Sequence, residues 1–216
     1  MPDRERLMSE LTGENDVGVL LIAQMGGVPN ELQLIVQTAQ YDPAAQGLRE
    51  RSAYIIRVLG VREHRLTLGL FPRLFFAQQH PILLHHNEPL TAVHFEGRPA
   101  DVNELALDIH QAHASTFGPW RELARDLNRE KPLVDLLSSG GGLLGEMPRS
   151  AAERMARVLA HHGLQARLEQ LEPERDPVDE HGRSQMWQML GIGDSYFVAL
   201  SFAVDRMQGR ARPASG

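Results

Sequence analysis

The chain has 216 residues, of which 42% are hydrophobic and 23% are charged, a composition typical of a globular protein with a sizeable core. Its formal charge of −6 argues against broad binding to nucleic acid, which requires a basic surface, and the absence of cysteine excludes disulfides and thiolate sites. The chain begins with mixed charges and contains no apolar run of about 18 residues, so we expect a cytoplasmic protein without a membrane partner. The preference for arginine over lysine suggests a bacterial source.

The first third of the chain predicts an antiparallel meander. Residues 1–15 are polar and lack hydrophobic periodicity, as are residues 208–216, so both ends are predicted to be flexible. The apolar segments 17–25 and 32–40 flank the turn residues GGVPNE and therefore predict a hairpin. Two more strands are predicted from SAYIIRVLG and RLTLGLF, since leucines alternate with polar or small residues in the second of these.

A strand followed by helices is predicted in the middle of the chain. Apolar and polar residues alternate in TAVHFE at 91–96, as in a half-buried strand. Asp101 precedes a helical pattern and Glu104 follows three residues later, which predicts a capped helix over 101–116. A second helix is predicted from Pro119, because the first helical turn tolerates proline well.

The C-terminal third predicts a helix-strand-strand unit. Ser150 and Glu153 have the spacing of a capping box, and Gly163 stands where this helix would end. Alternation then predicts a strand from Leu164 and one long final strand within DSYFVALSFAVDRM. Together these elements predict an α+β protein, with helices packed on a mainly antiparallel sheet, that forms a single domain over 16–207.

Histidines provide the candidate metal ligands. His110 and His113 are three residues apart on the predicted helix, and His85 and His86 lie in the segment before it. A divalent metal requires about three such ligands converging at about 2 Å, so these four histidines are the candidate set. The competing interpretation is that they are loop, surface and helix residues without metal, because no HExxH or ExxH motif is present.

If a metal is bound, the protein is predicted to be a metal-dependent hydrolase, with Asp108 or Glu88 as the base. Other catalytic patterns are weaker: the chain has no GxSxG motif, and its triple glycine lacks the lysine of a phosphate-binding loop. The sequence GIGDS at 191–195 is interpreted as a turn, since no histidine follows Ser195. Whether the protein is an enzyme is left open by these patterns.

Arginines provide the candidate ligand-binding residues. Six arginines lie between positions 49 and 73, and Arg57, Arg65 and Arg73 among them are the candidates for contact with a small anionic ligand. The competing interpretation is a solvated face of a hairpin. A nucleic-acid contact through these arginines is a third possibility, which the overall charge disfavours.

The segment 66–84 is rich in leucine and phenylalanine and has few polar residues. Such a segment belongs either to a core or, where it is exposed, to a surface for a partner. We therefore expect a non-catalytic binding protein without a cofactor, which forms homo-oligomers and binds a protein partner or a small anionic ligand. The alternative is the metal-dependent hydrolase.

Overall fold

A computed structural model of the chain describes residues 2–172 and 184–207. It contains antiparallel sheets and several helices, which confirms the predicted α+β class and the N-terminal meander. The chain divides into two compact units, the first formed by Met1–Gln79 with Trp187–Gly216 and the second by His80–Met186. The single domain expected over 16–207 stays a prediction, and the expected flexible end at 208–216 lies outside the described residues.

The strands, in chain order, are β1 (Asp16–Met25), β2 (Glu31–Asp42), β3 (Gly47–Leu59), β4 (Glu63–Arg65), β5 (Gly69–Phe71), β6 (Leu74–Ala77), β7 (Leu90–Glu96), β8 (Gly141–Pro148), β9 (Gln165–Gln170), β10 (Gln188–Ile192), β11 (Ser195–Ala199) and β12 (Ser201–Arg206). The helices are α1 (Asp3–Ser9), α2 (Leu84–Asn87), α3 (Val102–Phe117), α4 (Leu133–Ser138) and α5 (Arg149–His161). Short 3₁₀ turns lie at Pro81–Leu83, Gly118–Trp120 and Leu123–Arg125. In the described part of the chain, no helix is long and apolar enough to cross a membrane.

The first unit contains two antiparallel sheets. One has the strand order β12-β3-β2-β1-β5, and the other has the order β4-β11-β10-β6. Alternate side chains of β2 and β3, such as Leu34, Val36 and Ile56, are fully buried and join buried residues of the second sheet in one hydrophobic cluster. Burial of each such side chain contributes roughly 1.5–3 kcal/mol, so this cluster fixes which face of each strand points inward.

Helix α1 differs from the flexible segment expected over 1–15. Leu7 is fully buried and Leu11 nearly so, and both belong to the core cluster of the first unit. Just after the helix, the Glu10 carboxylate accepts hydrogen bonds from Thr38 Oγ1 at 2.6 Å and Ser52 Oγ at 3.1 Å. Two apolar side chains on a polar segment are too few for a periodic signal, although they are enough to hold one helical turn on a core.

The second unit has a three-stranded antiparallel sheet in the order β8-β7-β9. Helices α3 and α5 contribute buried residues to the same cluster as β7 and β8. The helix predicted over 101–116 is confirmed as α3, and Asp101 caps it by accepting hydrogen bonds from the backbone N–H groups of Asn103 and Glu104. The helix expected from Pro119 is wrong, since that segment forms only short 3₁₀ turns.

Two C-terminal expectations are corrected by the structure. The N–H of Ser150 donates to Glu88 Oε2 at 2.8 Å, so the cap of α5 comes from a distant segment rather than from a Ser150–Glu153 box. The expected long final strand is two strands, β11 and β12, which belong to different sheets. The chain changes sheets at Leu200, whose N–H donates to the carbonyl oxygen of Leu59 at 3.1 Å.

Candidate functional site

A buried carboxylate, Asp126, organises the polar interior of the second unit. It follows the 3₁₀ turn Leu123–Arg125, and its carbonyl oxygen accepts a hydrogen bond from the N–H of Glu146 on β8 at 2.9 Å. This close approach requires glycine at position 145, because a methyl group there would collide with the Asp126 carbonyl oxygen. Gly145, which has no side chain, thus allows Asp126 to lie directly against β8.

Three cationic or polar side chains converge on the Asp126 carboxylate. Arg121 contacts Oδ1 through Nε at 2.8 Å and Nη2 at 2.7 Å, and His113 Nε2 lies 2.9 Å from Oδ2. His85 Nε2 lies 3.0 Å from Oδ1, although its ring is not aligned for a directed hydrogen bond. We call these four residues the Asp126 cluster. Asp126 and His113 are each only 2% exposed, so the cluster lies almost entirely out of water.

The electrostatics of the Asp126 cluster favour a charged carboxylate. Burial by itself raises the pKa of Asp126, but the polar contacts from His113, His85 and Arg121 outweigh burial and hold that pKa well below its usual range. Burial lowers the pKa of His85, and the attraction of Asp126 opposes this effect only in part. The cluster therefore contains a buried ion pair between Arg121 and Asp126 beside a His85 ring that favours its neutral form.

Two of the four histidines predicted as metal ligands meet in this cluster, and two do not. His85 and His113 both reach Asp126, whereas His110 is exposed on α3 and His86 is only partly buried. Within residues 2–172 and 184–207, no group of three or more His, Asp or Glu side chains is arranged to hold a metal ion. The metal site stays a prediction that this geometry does not support, and elemental analysis of the untagged protein tests it.

The carboxylates expected to act as a base have structural partners instead. Asp108 Oδ2 lies 2.8 Å from His162 Nε2, and Glu88 caps the first turn of α5. Neither carboxylate belongs to the Asp126 cluster. The residues that the sequence suggested for a hydrolase thus do not form an assembled acid–base pair.

The three arginines predicted to bind an anion lie on separate elements of the first unit. Arg57 is on β3 and pairs with Asp205 at 3.0 Å, whereas Arg65 is on β4 in the other sheet. Arg65 donates from Nε to the carbonyl oxygen of Asp194 at 3.0 Å, and Arg73 is exposed between β5 and β6. The structure does not describe a common pocket for these three residues, so an anion site formed by them stays a prediction.

The five-stranded sheet carries apolar side chains on the face that points away from the core. Directly paired residues of neighbouring antiparallel strands point to the same face, so the strand register identifies that face. Leu70 pairs with Val19, Ile22 with Ile35, and Ile35 with Ile55, while the alternate positions on these strands are buried. We call Val19, Ile22, Ile35, Ile55 and Leu70 the outer apolar face.

The outer apolar face is partly accessible and has a mixed polar border. Leu70 is 67% exposed and Ile22 is 42% exposed, and both are large side chains without charge. Arg57 and Asp205 form an ion pair at one border, and Gln24 donates to Gln33 at 3.4 Å along another. An apolar centre with a polar rim is the composition of a protein–protein interface.

Comparisons of this chain with protein-family models, with curated proteins and with solved structures find no match. Function is therefore argued from the side chains themselves. Sequence reasoning placed Leu70 in a segment that is either core or partner surface, but it did not identify Ile22, Ile35 and Ile55 as neighbours. The apolar segments that contain them were recognised as strands, whereas the strand register that aligns them could not be predicted.

Proposed function

We propose that this protein is a non-catalytic binding protein that associates with a second copy of itself through the outer apolar face. The observation that carries the proposal is the set of apolar side chains that β1, β2, β3 and β5 place on one sheet face, which includes the largely exposed Leu70. Exposed apolar surface of this kind is costly in water and favours association. Two sheets can pack face to face at about 10 Å, so a flat sheet face suits an identical partner.

The charges at the border favour a second copy as the occupant. A two-fold axis brings the same surface of each copy together, so a self-complementary border must carry both signs of charge. Arg57 and Asp205 supply one positive and one negative group side by side. A two-fold arrangement lets Arg57 of one copy approach Asp205 of the other, while the uncharged centre brings no like charges together.

The proposal is tested by sedimentation of the wild type and of Leu70→Glu over a range of protein concentrations. Because a dimer contains the substitution twice, we expect its dissociation constant to rise by at least about tenfold. Leu107→Glu is the matched control, since Leu107 is 55% exposed on α3 and lies outside the outer apolar face. A wild type that stays monomeric at every concentration refutes the proposal, as does equal weakening by both variants.

A further inference from the structure

A groove lies between helices α3 and α5 in the second unit, separate from the outer apolar face. It is an open surface groove with a volume of about 580 Å³, which is large enough for a small molecule. Ala112 and Val158 supply apolar surface within it. The other lining residues are polar or charged: Asp108, Gln111, Ser115, Arg154, Arg157 and His161.

The α5 side of the groove is a stripe of basic side chains. Arg154, Arg157 and His161 are spaced three and four residues apart, so they lie along one face of the helix. Arg154 Nη1 donates to Ser115 Oγ at 2.6 Å, and that hydroxyl donates in turn to the carbonyl oxygen of Ala112 at 2.9 Å. The Arg154 guanidinium is thus held in place by a neutral group.

Positive charge in the groove is only partly neutralised by the protein itself. Neither Arg154 nor Arg157 forms an ion pair with a carboxylate among the residues that the structure describes. The one carboxylate in the lining, Asp108, is already engaged by His162 Nε2 at 2.8 Å. Two guanidinium groups therefore share this groove with a single carboxylate, so positive charge is in excess there.

We infer that the α3–α5 groove binds a small phosphate monoester through Arg154 and Arg157. A phosphate monoester carries about −1.5 to −2 charges at neutral pH and three terminal oxygens, which balances two guanidinium groups. Ser115 and His161 lie in the same lining, and the Gln111 amide can bond a hydroxyl of the ligand. Ala112 and Val158 accommodate its carbon chain, so the groove suits a phosphorylated polyol of low molecular weight.

The test is a titration followed by NMR, in which backbone amide shifts are recorded at low salt with glycerol 3-phosphate as the probe. We expect saturable shifts on α3 and α5, and we expect Arg157→Gln to weaken binding by about tenfold or more. Arg157 is exposed, so its replacement leaves the core packing unchanged. Arg167→Gln is the matched control, because Arg167 is also an exposed arginine of the second unit and lies on β9.

Three results would overturn the inference. The first is the absence of saturable shifts at α3 and α5. The second is equal weakening by Arg157→Gln and Arg167→Gln, which indicates a general charge effect rather than a site. The third is tighter binding of succinate than of glycerol 3-phosphate, which assigns the groove to carboxylates instead.

Discussion

Replacing Asp126 with asparagine keeps the shape of the side chain and removes its charge. In the wild type this carboxylate accepts two contacts from Arg121, at 2.7 and 2.8 Å, and one from His113 at 2.9 Å. After the substitution, the mostly buried guanidinium of Arg121 has lost its counter-charge. The new amide N–H group faces either the Arg121 donors or the His113 ring, and in the second case His113 must change its tautomer in order to accept. The variant therefore tests whether the Asp126 cluster stabilises the second unit.

The expected cost follows from the burial of the ion pair. Breaking a buried pair by removing one partner typically costs about 3–5 kcal/mol, because the remaining charge stays out of water. Asparagine still offers one oxygen acceptor to Arg121, so we expect the lower end of that range, about 3 kcal/mol. For a chain of this size, such a loss lowers the melting temperature by roughly 6–12 °C.

Urea unfolding of the wild type and the variant, followed by circular dichroism, measures this loss. The matched control is Glu153→Gln, which removes an exposed carboxylate that pairs with Arg149 at 2.9 Å on α5. An exposed pair of this kind contributes less than about 1 kcal/mol, so the control should unfold close to the wild type. If Asp126→Asn is no less stable than Glu153→Gln, the Asp126 cluster is not the stabilising centre that the geometry indicates.

Two further predictions concern the same cluster. The folded-state pKa values of Asp126 and His85 both lie below their ordinary values of 3.8 and 6.5, so the unfolded chain binds more protons in acid. The free energy of unfolding should therefore fall as the pH drops below about 6.5, and again below about 4. Urea titrations at each pH measure this. His85→Gln should reduce the first decline without removing it, because burial also lowers the pKa of His80. A first decline of wild-type size in that variant contradicts the assignment. Gly145→Ala should lower the free energy of unfolding by about 1–3 kcal/mol, because its methyl group meets the Asp126 carbonyl oxygen. Gly27→Ala is the control, because a methyl group at position 27 has open space and should lower the free energy of unfolding by less than about 1 kcal/mol. Equal melting temperatures for the two alanine variants would show that the chain near Asp126 can move aside.

The elements that the sequence predicted well are those with local signals. Alternation of apolar and polar residues located β7, and the Asp101 cap located the start of α3, because both patterns depend on residues close in the chain. Helix α1 was missed, since its buried Leu7, and Leu11 just after it, lie among polar residues. The chain crossing at Leu200 was missed for a related reason, because alternation continues through it although the sheet changes.

The Asp126 cluster was harder to predict, because it joins residues far apart in the chain. His113 was placed on the predicted helix over 101–116, and a buried histidine requires a polar partner. Asp126 lies in the segment that was predicted as a helix from Pro119, and nothing in that pattern marked it as the partner. The α3–α5 groove likewise could not be predicted from the sequence, since it depends on how two helices pack.

The most direct test of self-association through the outer apolar face uses the absence of cysteine in this chain. A single cysteine introduced as Ile22→Cys reports on that face, and Leu107→Cys reports on exposed surface elsewhere. The rate of alkylation by iodoacetamide is measured for each variant over a range of protein concentrations. If the outer apolar face mediates self-association, the cysteine at position 22 becomes protected as the concentration rises, while the cysteine at position 107 reacts at a constant rate. A rate at position 22 that does not depend on concentration would contradict it.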